Sequence, residues 1–253
     1  MISINGVVIV PTIFPDKTSQ VWKLPDDLLN TIYKDNGAEI LWGFESEAEL
    51  IHLAQLKTLL DTYTPNVTLN MPYCPFARQD KRVDNGSTFA LATFAVLLNA
   101  LKFQQVKVLD IHCESRARAI NSLVNTPPNE FIERAWRETG ANQFLFPDAG
   151  AATRYAEETY VGNQWVSAEK IRDQATGEIT GTKIHGDVRN RRILIVDDIC
   201  DGGRTFIEVA KVAHEMGAME VHLYTTHGLY SKGIQVLRDA GIDRIYNRKG
   251  GVK

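Results

Sequence analysis

The chain alternates short apolar runs with longer amphipathic stretches, and this alternation limits its fold more than any other feature. Apolar runs at residues 7–10, 40–42 and 67–71 predict strands, and stretches at residues 25–33 and 50–60 predict the helices between them. A βαβα order implies a mainly parallel sheet with helices on both faces. Such sheets bind ligands beyond the carboxyl ends of their strands. We therefore predict an α/β protein.

The same order continues along the rest of the chain, with strands that end in polar side chains. A predicted strand at residues 106–111 runs into His112, and another at residues 193–196 runs into Asp197 and Asp198. Further helices are predicted at residues 87–101, 203–216 and 233–240, and a further strand at residues 221–226. The polar side chains are expected at the strand ends, where this fold class binds ligands.

Three irregular stretches divide this pattern. Residues 72–86 are rich in proline and charge and are expected to form an exposed loop. Residues 159–188 carry a weaker pattern, with a hairpin tip predicted at residues 176–178 and with Lys170 and Arg172 on the approach to it. Two prolines in residues 125–129 mark a region of division, and we place the domain boundary at Thr139. The predicted domains are residues 1–138 and 139–253.

Composition excludes several classes of protein. The 253 residues are 44% hydrophobic and 23% charged, with a net charge of -3, which gives no reason to expect nucleic acid or an anionic membrane as a partner. Cys74, Cys113 and Cys200 form no Cys-x-x-Cys pattern, so neither disulfides nor zinc are expected. No run approaches the ~18 apolar residues of a membrane span. We expect a cytoplasmic location.

Residues 195–205 join an apolar strand to two acids, a glycine turn and the start of a helix. Adjacent carboxylates can accept hydrogen bonds from a pair of ribose hydroxyls, and the amides of the turn and of the helix N-terminus can bind a phosphate. A phosphorylated sugar would satisfy both groups. The alternative is an ordinary strand-to-helix turn whose acids cap the helix.

This segment resembles the phosphoribosyl-diphosphate-binding motif of type I phosphoribosyltransferases and of ribose-phosphate pyrophosphokinases. Four other segments are similar to the pyrophosphokinases, in the same order along the chain. Residues 73–82, Tyr-Cys-Pro-Phe-Ala-Arg-Gln-Asp-Lys-Arg, resemble the ATP loop, and residues 109–112 resemble the strand end that binds metal and triphosphate. Residues 147–151 resemble the ribose and magnesium loop, and residues 170–172 fall at the catalytic flap.

The resemblance implies a fold, an activity and a set of site residues. The fold would be two phosphoribosyltransferase-like (type I) domains, the first binding ATP and the second ribose phosphate. The activity would be transfer of diphosphate from ATP to the anomeric hydroxyl of ribose 5-phosphate, with Mg2+ as cofactor and AMP as the second product. The implied ATP-binding residues are Phe14, Asp16, Arg78, Gln79 and His112, the metal ligands are His112 and Asp148, and the catalytic residues are Lys170 and Arg172. The implied ribose-phosphate-binding residues are Asp148, Asp197, Asp198, Asp201, Gly202, Gly203, Arg204 and Thr205.

The resemblance also implies an assembly. Phe14 and Asp16 resemble an adenine-recognising turn that in the family reaches a neighbouring subunit. A homo-oligomer, either a dimer or a hexamer, with an adenine site shared between subunits is therefore expected.

The phosphate turn departs from the family pattern and leaves other functions open. The family usually reads Asp-Thr-Gly-Gly-Thr, whereas residues 201–205 read Asp-Gly-Gly-Arg-Thr. The guanidinium of Arg204 could bind a second phosphate, which would admit a 5′-substituted ribose such as ADP-ribose and a role in NAD-related metabolism. A phosphoribosyltransferase and a catalytically silent regulatory paralogue are the remaining alternatives.

Overall fold

The structure of the chain is a computed structural model that describes residues 1–21, 23–156, 165–172 and 179–253, with the backbone alone at 172, 179 and 180. The chain forms two compact units, Met1–Pro127 and Pro128–Lys253. None of the helices in these described ranges is both long and apolar enough to cross a bilayer.

The first unit contains a six-stranded sheet in the order β2-β1-β5-β6-β7-β8. Strands β5 to β8 are parallel, and β1 pairs with β5 in the antiparallel direction. The sheet strands are β1 Ile2–Ile4, β2 Val7–Ile9, β5 Ala38–Trp42, β6 Val67–Asn70, β7 Gln105–Leu109 and β8 Leu123–Thr126, with a separate hairpin of β3 Thr12–Ile13 and β4 Ser19–Gln20. The helices are α1 Asp26–Asp35, α2 Glu49–Leu60, α3 Ala90–Ala100 and α4 Glu114–Ala117.

The core of the first unit follows from the spacing of its apolar residues. Leu53, Leu56 and Leu60 recur at helical spacing on α2 and are fully buried. Val67 and Leu69 alternate along β6 and are fully buried as well. One apolar cluster joins these residues to the buried side chains of α3.

The second unit contains a seven-stranded sheet in the order β11-β10-β9-β12-β13-β14-β15. Strands β10, β9, β12, β13 and β14 are parallel, and β11 and β15 pair antiparallel at the two edges. The strands are β9 Gln143–Phe146, β10 Trp165–Arg172, β11 Ile179–His185, β12 Arg192–Cys200, β13 Glu220–Gly228, β14 Arg244–Asn247 and β15 Gly250–Gly251. The helices are α5 Asn129–Thr139, α6 Ala149–Tyr155, α7 Arg204–Glu215 and α8 Gln235–Asp239.

Helices cover both faces of the second sheet, which explains the continuous apolar run in β12. Leu194 and Val196 pack in one cluster with residues of α5 and α6. Ile193 and Ile195 pack in another cluster with residues of α7 and α8. A central parallel strand buried on both faces has no polar alternation. The expected fold class is confirmed: both units are α/β, with a mainly parallel sheet and helices.

The division between the units falls earlier than Thr139, where the sequence placed it. Ile132 and Ala135 of α5 pack with Phe144 of the second sheet. Arg134 donates hydrogen bonds to the carbonyl oxygens of Asn247 and Arg248 at 3.3 and 3.0 Å. Helix α5 therefore belongs to the second unit, which begins at Pro128.

Two other expectations also need correction. The strand predicted at residues 193–196 continues to Cys200, so Asp197 and Asp198 lie within β12 and pair alongside β13 instead of following the strand. The charged loop at residues 72–86 is exposed in its second part, but Cys74 and Asp80 are buried. The hairpin expected around Lys170 is formed by β10 and β11, and its predicted tip at residues 176–178 lies outside the described residues.

Candidate active site

The early end of β9 opens the carboxyl edge of the second sheet. Strand β9 ends at Phe146, whereas its neighbours continue, β10 to Arg172 and β12 to Cys200. Strands that are two positions apart in a sheet lie roughly 10 Å from each other. The gap between the outer ends of β10 and β12 is therefore one strand wide, and helix α6 packs against β9, β10 and β12. We call this space the notch, bounded by Asp148, β10 and β12.

Asp148 is held at the base of the notch as the N-cap of α6. Its Oδ1 accepts a hydrogen bond from the backbone N–H of Ala151 at 2.9 Å. Aspartate is a preferred residue at this position because it satisfies an amide that has no partner within the helix. The cap fixes the carboxylate where the sequence expected a ribose-binding and metal-binding residue.

Asp197 and Asp198 lie on the β12 side of the notch and share one cation. Nη2 of Arg154 on α6 donates to Oδ1 of Asp197 and to Oδ1 of Asp198, both at 2.9 Å. The side chains of the two aspartates are 14% and 4% exposed. The acidic pair expected from the sequence is therefore present, but it is bonded to an arginine that the sequence analysis did not identify.

The local electrostatics act against ionisation of Asp197. Burial raises the pKa of Asp197 well above its ordinary value of 3.8, and the neighbouring Asp198 raises this pKa further. The positive charge of Arg154 lowers it, while Asp148 raises it. Two carboxylates at such close range need a cation if both are to remain charged. Arg154 supplies that cation.

The turn after β12 depends on a glycine with positive φ. Gly203 has φ of 78°, in the left-handed region, and a Cβ there would lie 2.7 Å from Cδ2 of Leu237. Helix α7 begins at the next residue, so the turn and the first amides of the helix form the end of the segment at residues 201–205. At Gly202, a Cβ would lie 3.6 Å from Cε of Lys232. Lys232 therefore brings a positive charge to the turn.

Arg204 does not extend into the turn as a forked phosphate ligand in this structure. Its Nε donates to Oε1 of Glu208 at 2.8 Å, one helical turn further along α7, and its side chain is 78% exposed. Thr205, the next residue of the motif, is half-buried on the first turn of the helix.

Lys170 lies near the start of α7. It pairs across the hairpin with Thr182, whose hydroxyl lies 3.5 Å from Oε2 of Glu208. Directly opposed residues of an antiparallel pair project from the same face. Lys170 is therefore on the face of the hairpin that carries α7, as are the buried Val166 and Ala168. The side chain of Arg172 lies outside the described residues.

In the first unit, Arg78, Gln79 and His112 follow two neighbouring parallel strands. The backbone after β6 stays alongside β7 as far as a hydrogen bond from Leu109 N–H to the carbonyl oxygen of Pro72 at 3.1 Å. Arg78 and Gln79 are exposed on the loop that continues from there, and His112 is half-buried just beyond β7. The three residues therefore leave the same edge of the first sheet.

An ion pair joins these two segments. Nη1 of Arg116 on α4 donates to Oδ2 of Asp80 at 2.6 Å, and the Asp80 side chain is only 6% exposed. Asp80 lies one residue after Gln79, and Arg116 lies four residues after His112. The pair was not identified from the sequence, because a carboxylate in a charged loop is usually solvated.

Phe14 and Asp16 occupy an exposed turn between β3 and β4. Asp16 Oδ1 accepts hydrogen bonds from the N–H of Thr18 at 3.0 Å and from its hydroxyl at 2.7 Å, and these bonds lower the pKa of Asp16. The hairpin is fixed to α2, where Gln55 bonds both Ser19 and Val21. The described structure thus fixes this turn against α2.

The expected magnesium ligands lie in different units, His112 in the first and Asp148 in the second. Within the described ranges, no group of three or more His, Cys, Asp and Glu side chains is arranged as a metal cage. Magnesium bound with nucleotides commonly takes one or two carboxylates, together with waters and phosphate oxygens. The carboxylate of Asp148 fits this mode of binding.

Comparisons with known proteins agree with the fold. A family model described as the phosphoribosyl synthetase-associated domain matches residues 150–247. A ribose-phosphate pyrophosphokinase from Pyrococcus abyssi is 31% identical over 168 residues, which cover 64% of this chain and 58% of that protein. One from Saccharolobus solfataricus is 26% identical over 252 residues, which cover 96% of this chain and 84% of that protein.

A solved structure shares the fold. The crystal structure of phosphoribosylpyrophosphate synthetase from Mycobacterium smegmatis has a TM-score of 0.68 and 20% identity, and the match covers 79% of this chain and 67% of that one. The chain spans 58% and 59% of the lengths of the relatives from Pyrococcus abyssi and Pyrococcus furiosus.

Fold and strand-end architecture together define a phosphoribosyltransferase-like α/β protein with two such units. Within that class, the sequence matches along most of the chain are to the ribose-phosphate pyrophosphokinases. The chain is therefore similar to the ribose-phosphate pyrophosphokinases in sequence and in fold.

Proposed function

We propose that the protein transfers diphosphate from ATP to the anomeric hydroxyl of ribose 5-phosphate, giving phosphoribosyl diphosphate and AMP. One observation carries the proposal: the Asp197–Asp198 pair and the glycine turn at Gly203 stand together at the carboxyl edge of the second sheet, beside the capped Asp148. The vicinal diol of ribose 5-phosphate would donate hydrogen bonds to the Asp197–Asp198 pair, and its 5′-phosphate would accept hydrogen bonds from the amides of the glycine turn.

ATP is assigned to the first unit, at the sheet edge from which Arg78, Gln79 and His112 project. Arginine and glutamine on an exposed loop can bind phosphate oxygens and polar atoms of the base. Phe14 and Asp16, on their separate turn, would contact the adenine of a neighbouring subunit in a homo-oligomer. A dimer or hexamer and a cytoplasmic location belong to the same proposal.

In the reaction, the anomeric oxygen of the sugar forms a bond with the β-phosphorus of ATP, and the bond between that phosphorus and the bridging oxygen of the α-phosphate breaks. AMP leaves with the electron pair of that bond, and the proton of the sugar hydroxyl passes to solvent. Such transfers depend mainly on positioning and on stabilising charge at the phosphoryl oxygens. Lys170, beside the start of α7, and Arg172 would supply that charge.

Magnesium, when bound, would neutralise phosphate charge and fix the geometry of the triphosphate. The proposed ligands are Asp148, which would bind magnesium directly or through water, and His112. Asp197 and Asp198 would accept hydrogen bonds from the sugar diol and so hold the anomeric hydroxyl in place. Gly202, Gly203 and Thr205 would bind the 5′-phosphate, with Asp201 at the entrance to the turn.

The test is an assay of AMP release in the presence and absence of each substrate. AMP formation that requires ATP, magnesium and ribose 5-phosphate together is expected. No AMP under any condition would support the silent regulatory paralogue, and consumption of phosphoribosyl diphosphate with a base would support a phosphoribosyltransferase. ADP-ribose is included as an acceptor, although the pairing of Arg204 with Glu208 gives no structural reason to favour it.

A matched pair of lysine variants tests the assignment of Lys170. Lys170→Ala is expected to lower kcat by roughly a hundredfold or more, because charge stabilisation in the transition state is lost. Lys183→Ala is the control, since Lys183 is exposed on the neighbouring strand β11. Equal activities of the two variants would contradict the assignment.

A further inference from the structure

Arg154 contacts both acidic side chains of β12. A single nitrogen, Nη2, lies 2.9 Å from one carboxylate oxygen of Asp197 and 2.9 Å from one of Asp198. The arginine side chain is 22% exposed. Shared contacts from one nitrogen restrict the distance between the two carboxylates as well as the direction of each.

The guanidinium is itself held on the other side. It lies over the ring of Tyr155, 5.1 Å from the ring centroid, and Tyr155 is 1% exposed. The ring of Tyr155 in turn stacks with that of Phe146 on β9, with centroids 6.3 Å apart. A cation over an aromatic ring is attracted by the ring's electron-rich face. Arg154 therefore links the end of β9 to the acids of β12.

Arg154 also shares a helix with Asp148. Asp148 caps the start of α6, and Arg154 lies in its last turn. One short helix thus fixes the base of the notch and the orientation of the acids at its side. Two adjacent carboxylates without this contact would repel each other and turn apart, because their like charges are close and poorly hydrated.

We propose that Arg154 is a positioning residue that holds Asp197 and Asp198 in the one arrangement in which both carboxylates accept hydrogen bonds from a vicinal diol. The inference rests on the proposed function for the identity of the diol, which is that of ribose 5-phosphate. It assigns no contact between Arg154 and the substrate. A cation that only neutralised the pair would leave the carboxylate rotamers unspecified.

The first arm of the test does not depend on any substrate. Crystal structures of the ligand-free wild type and of Arg154→Gln are compared at the Asp197–Asp198 pair. At least one of the two carboxylates is expected to adopt a different rotamer in the variant. Unchanged rotamers and an unchanged separation of the two Oδ1 atoms would overturn the proposal.

The second arm measures binding of ribose 5-phosphate and of ATP by calorimetry in the presence of magnesium. Arg154→Gln is expected to weaken ribose 5-phosphate binding by at least about tenfold, the loss that follows from one charge-assisted contact, and to leave the Kd of ATP within about twofold. A sugar affinity equal to or tighter than that of the wild type would overturn the proposal. Tighter binding would mean that Arg154 competes with the diol.

Control variants separate positioning from stability. Arg192→Gln removes an arginine at the opposite end of β12, where Nε lies 3.3 Å from Glu220, and it is expected to bind sugar as the wild type does. If Arg154→Gln does not fold, Arg154→Lys is used for both the structural comparison and the binding measurement. A lysine keeps the charge but lacks the planar fork of the guanidinium. Absence of ribose 5-phosphate binding by the wild-type protein would contradict the proposed function. The comparison of carboxylate rotamers would still decide the role of Arg154.

Discussion

The guanidinium of Arg116 donates to the carboxylate of Asp80 at 2.6 Å and joins the two segments that carry the candidate ATP residues of the first unit. Removing Arg116 leaves Asp80 buried without this cation. The loop that carries Arg78 and Gln79 is then expected to shift relative to His112. Arg116→Met should weaken ATP binding by roughly tenfold, as measured by calorimetry, because a charge-assisted hydrogen bond is lost.

A neighbouring arginine provides the control for this prediction. Arg118 pairs with Glu114 at 3.5 Å and is 76% exposed, so Arg118→Met should bind ATP as the wild type does. ATP binding that is weakened equally in both variants would contradict the specific role of the Arg116–Asp80 pair.

Substitution of Asp197 is expected to stabilise the fold at neutral pH. Because its pKa is raised in the folded state, folded Asp197 holds its proton more tightly than the unfolded chain does. The contribution of this proton to the free energy of unfolding is fully present below the ordinary pKa of 3.8. It is lost as pH rises from 3.8 towards the raised pKa of the folded state. Asp197→Asn removes this loss, so its Tm should exceed that of the wild type at pH 7, measured in EDTA.

The same variant should lose its advantage in acid. At pH values well below 3.8 the two Tm values are expected to converge, since Asp197 is then protonated in both states. The variant should also lose sugar binding, because an amide offers one acceptor oxygen where a carboxylate offers two. A Tm at pH 7 below that of the wild type would contradict the prediction.

Gly203 and Gly140, two of the glycines with left-handed backbone at helix ends, should respond differently to alanine. Gly203→Ala places a methyl group against Leu237, whereas at Gly140, with φ of 65°, a Cβ meets nothing within 4 Å. Gly140→Ala should therefore cost only the backbone strain, about 1 kcal/mol, and Gly203→Ala about 2–3 kcal/mol. Urea unfolding measures both, and equal costs would contradict the contact with Leu237.

The three cysteines should differ in their reactivity. Burial raises the pKa of the Cys74 thiol to about 12, and Cys74 and Cys200 are buried while Cys113 is half-buried. A thiol-disulfide reagent at pH 8 should modify Cys113 first, because the thiolate is the reactive form and must be accessible. Cys113→Ser should abolish the fast phase, and rapid labelling of Cys74 in the native protein would contradict this picture.

The sequence predicts the order of the main elements because periodicity and strand ends are local properties. Residues 193–196 are recognisable as a buried strand, but the continuation of β12 through Asp197 and Asp198 depends on pairing with β13, which no local pattern reports. Strand β9, one of several short strands that the sequence did not predict, is an apolar segment of the kind that periodicity does not assign. Its bounds follow from its pairing with β10 and β12.

Candidate site residues could be predicted where they belong to a local sequence motif. They could not be predicted where only tertiary packing brings them to the site. Asp148 and the turn at Gly203 were found from the motifs. Arg154 was not, because an arginine in the last turn of a helix usually interacts with solvent and with the helix dipole. Its partners lie more than forty residues away along the chain, and only the sheet brings them into contact.

The short pairing between β9 and β10 means that the position of the β10–β11 hairpin depends on side-chain packing. Strand β10 is joined to β9 over Trp165–Ser167, whereas β12 and β13 are joined along almost their whole lengths. Val166, Ala168 and Ile184 of the hairpin share one buried cluster with residues of α7. A substitution in this cluster would therefore displace Lys170 before it disturbed the strand pairing that holds the two acids.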